Sequence, residues 1–98
     1  MEKIDKDGNF DVTEVKTTIK QYNAGDLPAY FKWECGSKPW YMRARVKDGR
    51  VICDQIKETY EGLEYGFSTL GSTFSTTNKP ITEDEWRNVM HRLVKQLG

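Results

Sequence analysis

At 98 residues the chain makes one domain, and a hydrophobic content of 37% with 12% aromatics suffices for one core. Fifteen basic residues balance fifteen acidic ones, so no global field draws it to nucleic acid or an anionic membrane. Two cysteines make no disulfide framework, and no apolar run is long enough to span a bilayer.

The opening MEKIDKDGNF lacks the apolar stretch of a signal peptide. The expectation is therefore a soluble, cytoplasmic protein with reduced thiols at Cys35 and Cys53. Residues 1–9 are polar and expected to be flexible, ahead of a single α+β domain spanning 10–98.

A helix is predicted next. Asp11 is a good N-cap, Glu14 completes a capping box, and Phe10 can staple to Val15. Val12, Val15, Ile19 and Tyr22 follow at helical spacing, and Gly25 is a natural stop. The β-branched run VKTTI argues for a strand, but four agreeing signals favour the helix.

Residues 29–56 predict a three-stranded antiparallel meander. Asp48-Gly49 is a strong two-residue hairpin turn and Gly36-Ser37 a weaker one. Together they set Trp33 opposite Trp40, Phe31 opposite Met42, Ala29 opposite Ala44, Ala44 opposite Cys53 and Val46 opposite Val51. All of these lie on one apolar face. The other face pairs Tyr30 with Arg43, Lys32 with Tyr41, Arg43 with Asp54 and Tyr41 with Ile56. Opposed residues share a face, and the two turns agree in parity.

Residues 57–80 admit two readings. Tyr60, Leu63 and Phe67 could mark a short helix. Alternatively, EYGFST and STFSTT form a hairpin around Leu70-Gly71 with Phe67 opposite Phe74. Seven Ser or Thr in the ten residues 68–77 favour the second, which widens the sheet to five strands.

The last element is a helix. Thr82 caps it, Glu85 completes the box, and Ile81 staples to Trp86. Trp86, Val89, Met90, Leu93, Val94 and Leu97 form a wide apolar stripe, expected to pack with the first helix on the Trp33/Trp40 face. This helix–three strands–helix order is similar to double-stranded-RNA-binding domains in topology alone. That family's second helix begins with lysines that grip phosphate. Here it begins Thr82-Glu83-Asp84-Glu85, so no binding residue carries over.

Chemical motifs are scarce. DKDGNFDVTE fits a calcium loop in neither register: one puts Phe10 for the glycine and Lys16 for the bidentate glutamate, the other puts Lys3 at the first ligand position. Cys35, Cys53 and His91 lack zinc-ligand spacing. No base neighbours the serines and threonines, and Glu58, Glu61 and Glu64 suit a solvated face better than a pocket. Neither an enzyme nor a cofactor or metal is expected.

The best functional candidate is the outer face of the meander. Residues 29–56 carry six basic and three acidic side chains, and the expected partner-binding set is Tyr30, Lys32, Tyr41, Arg43 and Arg45. Tyr30–Arg43 and Lys32–Tyr41 also suit cation–π pairs that merely stabilise the sheet. Tyr and Arg anchor protein interfaces, so the expected function is a non-catalytic protein-binding module acting through its sheet surface. A small bacterial or phage accessory or inhibitor protein fits this description. The alternative is a nucleic-acid-binding domain, with aromatics stacking bases and cations on phosphates. An exposed sheet edge leaves a homodimer open.

Overall fold

The computed structural model describes residues 2–13, 19–34 and 36–98. Its frame is the predicted meander. Strands β4 (Ala29–Trp33), β5 (Trp40–Lys47) and β6 (Arg50–Thr59) pair antiparallel in the expected register, from Trp33 opposite Trp40 to Val46 opposite Val51. Asp48 and Gly49 have φ of 53° and 73°, as a mirror-image two-residue turn requires.

The sheet is wider than the meander. β7 (Gly62–Phe67) folds back along β6 through a two-residue turn at Tyr60-Glu61, with Leu63 opposite Glu58 and Phe67 opposite Asp54. β1 (Glu2–Lys3) pairs with Arg50 and Val51 farther along the same edge of β6. At the opposite edge β8 (Lys79–Pro80) pairs with β4. Of the two readings of residues 57–80 the helix fails and the hairpin holds in part: the EYGF of EYGFST lies in strand β7 and widens the sheet, but STFSTT forms no strand beside it. Leu63, Tyr65 and Phe67 alternate as a strand, and Leu70–Thr73 forms a single helical turn, α1, capped by Thr69.

The predicted N-terminal helix is overturned. β2 (Asn9–Thr13) and β3 (Ile19–Asn23) form a separate antiparallel hairpin, with Phe10 opposite Tyr22 and Thr13 opposite Ile19. Glu14 and Val15, which carried the box and the staple, lie outside the described residues. The winning pattern has period two: Phe10 and Val12 are buried while Asp11 and Thr13 face out. Ile19, on the apolar stripe of the supposed helix, is 64% exposed. Gly25 follows strand β3 in a 3-10 turn rather than ending a helix, its N–H bonded to the Asn23 side chain. With this helix gone, the likeness to double-stranded-RNA-binding domains lapses.

The C-terminal helix, α2 (Glu83–Leu97), stands where predicted, with Thr82 Oγ1 accepting from the Glu85 N–H at 3.2 Å. It covers the other face of the sheet, not the Trp33/Trp40 face. Trp86, Val89 and Leu93 bury against Tyr41, Ile56 and Leu63, with Tyr30 and Ile81 at the margin. Val94 and Leu97, the outer part of the stripe, remain exposed. The Phe31/Met42/Ala44/Cys53 face is covered instead by the β2–β3 hairpin and the segment around α1. There Phe10, Val12 and Phe74 close the core, and Phe74 makes ring contacts with Phe10, Tyr22 and Phe31. The molecule thus has three layers: hairpin, sheet, helix.

One device ties the layers at the sheet edge. The Gln96 side chain on α2 accepts from the Leu63 N–H and donates to the Leu63 carbonyl, both at 2.7 Å. It thereby stands in for a neighbouring strand. Gly62, at φ +120°, passes so close to this amide that a Cβ there would push the Gln96 side chain aside. Gln96→Ala should cost about 1–2 kcal/mol, two hydrogen bonds' worth. Its signature is faster hydrogen exchange at the Leu63 amide; unchanged protection there would refute the edge-capping role.

Candidate functional site

The helix face of β5, β6 and β7 is divided by what α2 covers. Under the helix, Tyr41 and Ile56 are buried. Lys32 lies across the Tyr41 ring, 5.6 Å from its centre, as the sequence suggested. The expected partner of Arg43 changes: its guanidinium stacks 5.0 Å from the centre of Trp86, which in turn packs on Tyr30. The Tyr30 hydroxyl donates to Glu83 on α2 at 3.4 Å.

Arg43 also grips Asp54, the opposed residue on β6, through Nε–Oδ1 at 3.0 Å and Nη2–Oδ2. Asp54 is fully buried, so it requires such a fork: an unpaired carboxylate here would be prohibitively costly. Tyr65 on β7 completes the cluster, its hydroxyl donating to Asp54 Oδ2 at 2.7 Å. The hydrogen bond to Asp54, ahead of the opposing effect of burial, raises the Arg43 pKa further above its ordinary value.

Burial first, and the Asp54 hydrogen bond second, push the Tyr65 phenol above its ordinary pKa of 10.0. A raised folded-state pKa means that the folded protein holds the proton more tightly than the unfolded chain. Its contribution is complete below pH 10 and is lost as the pH climbs through the folded value. Tyr30, raised by burial and then by Glu83, acts in the same direction. Stability should therefore fall above about pH 10, and Tyr65→Phe should flatten that fall in urea titrations. An equally steep decline in the variant would refute the assignment.

To the side of α2, along the strands toward the Asp48-Gly49 turn, the face is open. A groove of about 570 Å³ crosses the β6 edge in the gap between β1 and β7, and its sides include Arg45, Lys47, Ile52, Tyr65 and Phe67. Phe67 is 73% exposed and meets Tyr65 edge-on at 6.3 Å. The Nε of Arg45 is buried, and no group among the described residues hydrogen-bonds it.

Of the five residues picked from sequence, Tyr30, Lys32, Tyr41 and Arg43 therefore lie under or beside α2, and Arg45 alone lines the open groove. Tyr65 and Phe67 were missed as part of this surface. Their signal was legible: Leu63, Tyr65 and Phe67 alternate with Glu64 and Gly66 directly after a turn.

The other sequence motifs resolve structurally. Asp5 Oδ1 accepts from the N–H groups of Asp7 and Asn9, at 2.9 and 2.8 Å, so its carboxylate shapes a turn. Cys53 is a buried free thiol on the hairpin face, its pKa raised by burial, whereas His91 is exposed on α2 across the sheet. Cys35 lies outside the described residues. Among the described residues no three His, Cys, Asp or Glu side chains cluster as metal ligands, and no helix is long and apolar enough to cross a membrane. No protein-family model matches the chain, and no curated protein or solved structure matches it either.

Proposed function

We propose that the protein is a non-catalytic module that binds another protein through the open part of its sheet surface. The observation that carries this reading is the groove beside Arg45, where Phe67 stands exposed against Tyr65. Exposed aromatics grouped beside a groove offer apolar surface that a partner can bury, and aromatic and Arg side chains are the usual anchors of interfaces.

The strand edge adds a second means of contact. Leu63 turns its N–H and C=O outward to Gln96, and residues two apart point the same way, so Tyr65 and Phe67 offer their backbone groups at the same edge. An extended segment of a partner can add there as a strand, its side chains entering the groove.

The test is capture of partners from host lysate on purified protein, with and without nuclease and at low and high salt. A protein that survives nuclease and high salt with wild type, and is lost with Phe67→Ser but not with Tyr60→Ala, supports the reading. Tyr60 is a fair control because it is 92% exposed on a turn. Recovery of nucleic acid that washes off at high salt would instead favour phosphate binding by Arg45 and Lys47.

A further inference from the structure

A second pocket lies on the hairpin face of the sheet and meets the open groove at Thr69. It has a volume of about 510 Å³, within the range of small-ligand sites. Its apolar side is made by Trp33, Trp40 and Met42, the two indoles meeting edge-to-face at 4.9 Å. Both tryptophans are only half buried, although they sit on the apolar face of the sheet.

The polar side is unusual. Six of the ten lining residues carry a hydroxyl or a side-chain amide, and none is charged, in a chain that is 31% charged. Most come from the Ser/Thr-rich stretch after β7, part of which is structural: Thr69 caps α1 and the buried Thr73 hydroxyl donates to the Thr69 carbonyl at 2.8 Å. This wall is held in shape. Asn78 Nδ2 donates to the carbonyls of Ser72 and Thr73 at 2.7 and 2.9 Å, and the Ser75 and Thr77 hydroxyls bond each other at 2.9 Å. With both amide hydrogens of Asn78 committed, its remaining group is an acceptor.

We infer that this pocket binds a neutral saccharide of one or two sugar rings. A sugar ring carries aliphatic C–H groups on its faces and hydroxyls around its rim. The C–H patch suits an indole surface, which is apolar with a negative face. The rim hydroxyls both donate and accept, and so do the Ser and Thr side chains opposite. No cation is among the lining residues, although Lys57 reaches over the Trp40 ring at 4.3 Å, so a phosphorylated or carboxylated ligand would be desolvated against the neutral hydroxyl wall without a counter-charge there. The inference does not rest on the protein-binding reading: of the residues lining this pocket only Thr69 also lines the open groove.

The experiment follows the three indole N–H signals of ¹⁵N-labelled full-length protein. It is titrated with glucose, galactose, mannose, N-acetylglucosamine and their β1,4-linked disaccharides, with adenosine and uridine as neutral aromatic comparators. Saturable shifts of the Trp33 and Trp40 signals by a saccharide, with buried Trp86 unmoved, are expected. Ser72→Ala, at an exposed position, should weaken that binding about fivefold, one hydrogen bond's worth, without changing the melting temperature. Trp33→Leu should abolish it. No saturable response to any sugar in the panel, an equal response to the nucleosides, or undiminished binding in both variants would overturn the assignment.

Discussion

Asp54→Ala should destabilise the protein by about 3 kcal/mol, the low end of the range for removing one partner of a buried ion pair. Asp54 has no exposed surface, and its carboxylate is held by Arg43 and Tyr65 together. Removing it leaves the guanidinium pressed against Trp86 with no counter-charge, and leaves the Tyr65 hydroxyl without its acceptor. The low end applies because the Arg43 side chain keeps 21% of its surface in water. The expected readout is a lower urea midpoint at unchanged slope. Replacing both partners, Arg43→Met with Asp54→Leu, should recover most of the loss, because hydrophobic substitution removes the desolvation cost as well as the attraction. A loss below about 1 kcal/mol for Asp54→Ala would mean that Arg43 behaves as an ordinary surface ion-pair partner.

Phe10→Ala should cost about 3–5 kcal/mol, the usual toll for emptying a buried aromatic site. Phe10 is 2% exposed and touches the rings of Tyr22, 6.0 Å away, and Phe74, 5.8 Å away. It pins the β2–β3 hairpin to the sheet, so its loss should loosen that hairpin first, visible as faster amide exchange at Tyr22 and Val12. Ile19→Ser is the companion measurement. In the hairpin Ile19 points to solvent, and its replacement should change stability by less than about 0.5 kcal/mol. In a helix it would belong to the buried stripe, and the two losses would be comparable. Equal losses would therefore count against the hairpin.

The open groove and the Trp33/Trp40 pocket were legible to different degrees. The pairing of Arg43 with Asp54 follows from the turn at Asp48-Gly49 alone. The exposure of Phe67 does not, because it depends on which part of the sheet α2 crosses. Tyr30 and Tyr41 are as good anchors on paper as Tyr65, yet Tyr41 lies beneath Trp86, Val89 and Leu93. The Ser/Thr stretch could be read as loop or strand. Only the fold brings it opposite the two tryptophans.

The meander, its register and the extent of the C-terminal helix all follow from local sequence. These rest on interactions within a few residues: positive φ at a two-residue turn, the alternation of side chains about it, and a Thr82 cap followed by an apolar stripe. The tertiary structure alone decided which cover each sheet face received. Both faces carry large apolar side chains, Phe31 and Met42 on one and Tyr41 and Ile56 on the other, so α2 had two surfaces to choose between. It also decided that Asn9–Thr13 and Ile19–Asn23 close the first face as paired strands. Local capping signals worth about 1 kcal/mol each yield when strand alternation lets Phe10 and Val12 seal a core that a helix would have left open.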